Sequence, residues 1–218
     1  MHLRVRNWSY KAAFGAAMTL ILSAPVMAQE VNITPGVRSV EFTINGTAYK
    51  IERIQDTENK LDNSFAKTSR PCPEFCIHAM SAAPGVVTTG ELELLDFLQQ
   101  DVANGRGVLI DARIPSWFEK GTIPGAINIP FTLLSADDNP YMDKILTILG
   151  ATKAGAQWDF ANARKLMLFC NGPWCDQSPR AIKGLIAAGY PADKLLYYRG
   201  GMQNWQMLGL TVAAPAAK

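Results

Sequence analysis

The 218-residue sequence is 48% hydrophobic and 18% charged, enough for one compact domain with short extensions and too little for two large ones. Its formal charge of +2 comes from 21 Lys+Arg against 19 Asp+Glu, and three of those cations, Arg4, Arg6 and Lys11, lie in the first 28 residues, which hold no acid. The remainder carries 18 against 19, or about −1, with no basic run, which argues against nucleic acid or anionic lipid as a partner.

In chain order, residues 1–28 read as a secretory signal peptide. A basic stretch to Lys11 is followed by an apolar run from Ala12 to Val26 and by Val26-Met27-Ala28 before Gln29. The run is shorter than a bilayer span and contains Gly15 and Pro25, which disfavours an uncleaved anchor. Export is therefore expected, to a periplasm since no lipobox cysteine stands near Ala28, with no membrane attachment after cleavage.

Residues 29–87 form an N-terminal extension. Ser39 to Ile44 and Ala48 to Ile54 alternate polar and apolar residues on either side of Asn45-Gly46, the pattern of a β-hairpin. The stretch from Gln55 to Arg70 is polar and irregular, and Pro71 and Pro73 exclude a regular helix around Cys72 and Cys76.

Residues 88–213 form the main domain, with 214–218 as a tail. Thr88 and Glu91 read as a capping box opening a helix with Leu92, Leu95, Leu98 and Val102 at helical spacing, ended by Asn104-Gly105. Gly107 to Asp111, Leu166 to Cys170 and Leu195 to Tyr198 are short apolar runs of the kind found in buried parallel strands. Helices are expected around Tyr141 to Leu149 and from Ser178 to Ala188, with Ser178 as N-cap and Pro179 at the first helical position. Alternating helices and apolar strands make an α/β fold on a mainly parallel sheet.

Ligands of parallel sheets gather beyond the carboxyl ends of the strands, where Cys170 stands. The loop Asn171, Gly172, Pro173, Trp174, Cys175, Asp176 and Gln177 leads into the helix at Ser178. A strand-loop-helix turn of this kind aims backbone N–H groups and a helix dipole at one point, where they favour a thiolate, a persulfide or an oxyanion such as thiosulfate. Against this, a free cysteine at a strand end is often one more small buried residue. His78 is the one histidine after residue 28, so acid-base or metal chemistry built on histidine has little support, and neither a metal nor an organic cofactor is expected.

From about Thr88 to Val212 the sequence resembles the rhodanese-like family. Leu109 to Arg113 is similar to the family's Asp-x-Arg strand exit, Gly121 to Pro130 to its Gly-His-Ile-Pro-Gly-Ala segment, and Gly200 to Trp205 with Gly209 to Val212 to its closing motif. The resemblance implies a three-layer rhodanese-like domain and a sulfurtransferase in which Cys170 carries sulfane sulfur as a persulfide. The donor would be thiosulfate or another persulfide, and the acceptor would include a thiol-bearing protein.

Two departures stand out. The common family loop is Cys-x-x-Gly-x-Arg-Ser, but here Cys175 is the fifth residue after Cys170, the serine is Ser178 and the loop arginine is missing; Arg180 is a candidate replacement or a solvent-facing residue. Thr122 replaces the usual histidine. The loop is similar to a Cys-Asn-Gly-Pro-x-Cys variety within the family. Cys170 attacking and Cys175 resolving, a permanent Cys170–Cys175 disulfide, and Cys175 as nucleophile all remain open. Asp111 and Arg113 read as a supporting ion pair, and Trp174 as either a shield for the sulfur or a substrate contact. Cys72 and Cys76 are a candidate disulfide, either a staple for a proline-rich linker or a second redox pair. The alternatives to sulfur transfer are a periplasmic thiol-disulfide oxidoreductase using Cys170 and Cys175, and a non-catalytic binding module.

Overall fold

A computed structural model describes residues 30–61, 63–134 and 139–214. The signal-peptide reading of residues 1–28 and nearly all of the tail lie outside them.

The hairpin forms as its sequence dictates. β1 (Ser39–Ile44) pairs antiparallel with β2 (Thr47–Glu52), with Ile44 opposite Thr47. Asn45 and Gly46 both take positive φ, +47° and +81°, the left-handed pair that a two-residue turn matching the strand twist requires.

The central sheet follows. β3 (Val87–Thr89) leads into α1 (Glu91–Phe97), which runs on through one π-helical stretch at Leu98–Val102, and then into β4 (Gly107–Asp111), the short α2 (Pro115–Phe118) and β5 (Ile127–Asn128). After α3 (Met142–Ile148) comes a second small hairpin, β6 (Thr152–Ala154) and β7 (Gln157–Asp159). β8 (Lys165–Phe169), α4 (Gln177–Ala187), β9 (Leu195–Tyr198) and α5 (Gly201–Met207) complete the chain. The main sheet has the order β3-β9-β8-β4-β5 with every pairing parallel.

Three layers result because consecutive strand residues face opposite ways. Leu166 and Leu168 of β8 and Val108 and Ile110 of β4 pack with Ile145 and Leu146 of α3 and Ala181, Ile182 and Leu185 of α4. Met167 and Phe169 of β8 and Leu109 of β4 pack on the other face, against Leu94, Phe97 and Leu98 and against Met202 and Trp205 of α5. Val40, Phe42 and Ile51 of the hairpin join that second cluster, so the extension shares the core of the domain.

Two predicted helix starts are corrected. Thr88 does not cap α1: it belongs to β3, opposite Tyr197, and its hydroxyl donates to the Met80 carbonyl. The N-cap is Gly90, whose N–H is bound by the Glu93 carboxylate at 3.0 Å, because strand pairing claims the backbone that the capping pattern offered. Likewise α4 begins at Gln177 with Asp176 as N-cap, so Ser178 lies inside the first turn and Pro179 at its third position. Proline is tolerated there because the first N–H groups of a helix have no intrahelical partner to lose.

Candidate active site

β8 is the middle strand of the sheet, flanked by β9 and β4, and it ends at Phe169, so that Cys170, expected as its last residue, follows it by one place. The chain then turns through 171–176 into α4. Three supports fix this turn.

The first lies under it. At the end of β4, the Asp111 carboxylate receives the Arg113 guanidinium through two parallel contacts, Nε to Oδ1 at 2.9 Å and Nη2 to Oδ2 at 2.6 Å. Both side chains are sealed from solvent. The remaining polar sites are filled: the Thr122 hydroxyl donates to Asp111 Oδ2 at 2.8 Å, and Arg113 Nη2 also donates to the Gly121 carbonyl at 2.7 Å. Arg113 Nη1 then reaches the Asn171 side-chain oxygen at 3.4 Å, linking the ion pair to the residue after Cys170. A buried pair survives only when hydrogen-bonded all round, as this one is.

The second support is α5. Met202 and Gln203 donate their backbone N–H groups to the carbonyls of Cys170 and Asn171, at 3.0 and 2.9 Å. So close an approach needs glycine at 201, which has φ +56° and where a Cβ would overlap the Cys170 carbonyl oxygen and come within 2.7 Å of Gly172 N. The third support is a latch: Trp174 Nε1 donates to the Gln203 side-chain oxygen at 2.6 Å.

Within this frame both thiols are free and nearly closed off, Cys170 being 2% exposed and Cys175 5%. As a thiol, Cys170 donates to the Cys175 carbonyl at 3.4 Å. Burial alone would push its pKa up, but the Cys175 thiol, the Ser178 hydroxyl and the backbone N–H groups of Ser178 and Gly172 all favour the anion and hold Cys170 below the usual thiol range. Cys175 goes the other way. Its proton is held by the Cys170 sulfur, and burial and the neighbouring charge add to the effect, so its pKa is pushed far above the usual thiol range. One sulfur is thereby set up as the anion and the other as its proton donor.

The residues expected in this loop separate into two groups. Asn171, Gly172, Pro173, Trp174, Asp176, Gln177 and Ser178 form the turn around the two cysteines. Arg180 does not supply the missing charge: its guanidinium lies 4.6 Å from the Phe131 ring centroid and pairs with Asp176 at 3.9 Å, half exposed, because the helix turns it outward from the residue Asp176 that caps it. The cation beside the loop is Arg70, from the extension, stacked 4.2 Å over the Trp174 ring.

Tyr197 also escapes sequence reasoning. It is fully buried in β9, its hydroxyl has no hydrogen-bond partner among the described residues, and burial together with the charge of Cys170 and Cys175 raises its pKa. The Ser178 hydroxyl is likewise without a nitrogen or oxygen partner among the described residues. The Ser178 hydroxyl is thus left to the Cys170 sulfur. The signal for Tyr197 was only that its position faces the opposite side of the strand from Tyr198.

In the extension, Cys72 and Cys76 are joined by a disulfide, with their Cα atoms 5.8 Å apart. Arg199, just past β9, donates to the carbonyls of Phe75 and Cys76 at 3.3 and 2.7 Å and docks this segment beside the loop.

Comparison with known proteins adds a family match. The sequence model of the rhodanese-like domain matches residues 94–208, just over half of the chain. Over 108 residues the chain is 29% identical to an HTH-type transcriptional regulator of Mycobacterium tuberculosis; the match takes in 50% of this chain but only 38% of that protein's length. Among solved structures, a human single-domain sulfurtransferase is 26% identical, with 55% of this chain and 95% of that one covered and a TM-score of 0.38. A rhodanese-related protein from Thermoplasma volcanium is 20% identical, with 59% and 98% covered and a TM-score of 0.40.

Proposed function

Because this chain belongs to the rhodanese-like domain family, we propose that it is a sulfurtransferase-type enzyme that carries sulfane sulfur as a persulfide on Cys170, with Cys175 as the resolving thiol. The observation that carries this reading is the opposite treatment of the two cysteines: donors converge on Cys170 and favour its anion, while Cys175 keeps its proton.

With thiosulfate as donor, the Cys170 thiolate attacks the outer sulfur, the S–S bond breaks with its electron pair leaving on sulfite, and Cys170 holds the transferred sulfur. The N–H groups of Gly172 and Ser178, with the Ser178 hydroxyl, are the donors available to the new persulfide anion. Release follows one of two courses. An external thiolate takes the outer sulfur and returns Cys170 to its anion. Alternatively, the Cys175 sulfur, its proton passing to the departing sulfur, attacks Cys170, forms a Cys170–Cys175 disulfide and expels hydrosulfide. The second course leaves an oxidised pair that a reductant must reopen.

Residues 1–28 support an exported, periplasmic protein. The oxidoreductase reading is favoured by the thiol-to-thiolate contact between Cys170 and Cys175 and by the lack of a loop arginine.

Mass spectrometry of the Cys170-bearing peptide after exposure to thiosulfate tests the proposal. A gain of one sulfur atom is expected in the wild type, accumulation of that species in Cys175→Ser, and none in Cys170→Ser. Disulfide formation without sulfur gain would replace sulfur transfer with the oxidoreductase. Indifference to both substitutions would leave a binding module.

A further inference from the structure

A cavity of about 350 Å³ opens where the extension meets the loop, and Arg70, Cys72, Cys76, Pro173, Trp174 and Gln203 are among its walls. We propose that Cys72 and Cys76 are a second redox centre, an exposed relay through which an external dithiol reduces the buried Cys170–Cys175 disulfide. The proposal rests on the reading above, in which Cys175 resolves the persulfide and leaves that disulfide behind.

Four observations carry it. The pair set up for sulfur chemistry is almost sealed, whereas Cys72 is exposed and Cys76 half-buried; a bulky reductant meets the second pair first. The loop that holds the buried pair borders the same space as the exposed one: Pro173 and Trp174, which lie between Cys170 and Cys175 in the chain, face it together with Cys72 and Cys76. The Cys72–Cys76 bond spans a sequence separation of only 4 in a segment that Arg199 already anchors, so it staples little. Lys67 and Arg70 place positive charge on the cavity wall, where a thiolate leaving group would form.

The exchange balances without any other reagent. The external dithiol attacks the Cys72–Cys76 bond and is oxidised to its disulfide, leaving two thiols on the extension. One of these, as thiolate, attacks the Cys170–Cys175 bond; the electron pair goes to the departing sulfur, which takes up a proton, and a mixed disulfide joins extension and loop. The second extension thiol attacks that mixed disulfide, restores Cys72–Cys76 and frees the other loop thiol. Trp174 stands in the way, stacked on Arg70 and latched to Gln203, so each exchange requires that latch to open.

The full chain with both pairs oxidised, reduced by thioredoxin as the dithiol probe and followed by differential alkylation and mass spectrometry, tests the relay. Cys72–Cys76 should open before Cys170–Cys175, and replacing Cys72 and Cys76 together by Ser should slow reduction of the loop pair by about tenfold or more. Whichever single variant, Cys72→Ser or Cys76→Ser, keeps the attacking extension cysteine should trap a mixed disulfide between it and the loop. Equal rates with and without the extension pair would overturn the proposal. Should the double variant fail to fold, the single variants decide: a trapped linkage supports the relay and its absence overturns it. Sulfur loading of Cys170, read separately on the wild-type chain, fails only if the sulfurtransferase reading fails.

Discussion

The two cysteine pairs are five and four residues apart in sequence, yet the fold treats them as opposites. Cys170 and Cys175 sit at the end of the central strand, buried, reduced and unequal in their hold on a proton. Cys76 lies in a 3₁₀ turn of the extension, Glu74–Ile77, and Cys72 just before it; the two are bonded to each other and open to a cavity. Spacing alone therefore says little about what a cysteine pair does. What separates them is the number of donors and the amount of solvent that the surrounding elements bring to each sulfur.

Perturbing the foundation of the buried pair should have the largest effect. Asp111→Ala leaves the Arg113 guanidinium without its carboxylate in a sealed site and loosens its contact with Asn171, so urea unfolding should show a loss of about 3–5 kcal/mol. A smaller effect is expected at the exposed pair. Cys72→Ala with Cys76→Ala should cost no more than about 2 kcal/mol in the same assay, since a short loop restrains the unfolded chain least. A loss as large as that of Asp111→Ala would make the extension disulfide a structural staple and erase the contrast.

The smallest change should come within the buried pair itself. Ser178→Ala removes one donor to the Cys170 anion, which raises its pKa, lowers the thiolate fraction at a given pH and moves the acid limb of the alkylation-rate profile upward by about one pH unit. An unmoved limb would mean that the backbone N–H groups suffice alone.

The fold was legible where local chemistry decides it. Asn45-Gly46 admits a tight turn and little else, and the apolar runs of β4, β8 and β9 need burial on both faces. β3 and β5, of three and two residues, exist only because a neighbouring strand pairs with them, so nothing local announces them. The hairpin of β6 and β7 has no apolar alternation to read. Thr88 and Ser178 misled for one reason: each carries a good capping side chain, but the sheet claims the first and the Cys170 site the second.

At the site, Cys170, Cys175 and the turn between them could be picked out because they are contiguous. Arg70 and Gln203 could not, since each reaches the loop across more than twenty residues of chain. Thr122 was read as a missing histidine, whereas its hydroxyl completes the coordination of Asp111 by donors.

The central claim is that donors of the loop and of α4 make Cys170 anionic despite its burial, and thiolate absorbance against pH tests it most directly. With Cys72–Cys76 oxidised, two thiols remain to titrate as a coupled pair. The first midpoint should fall below the free-cysteine value of about 8.5 and the second should not appear within the accessible range. A first midpoint at or above that value would contradict the claim and leave Cys170 a buried thiol with no advantage as a nucleophile.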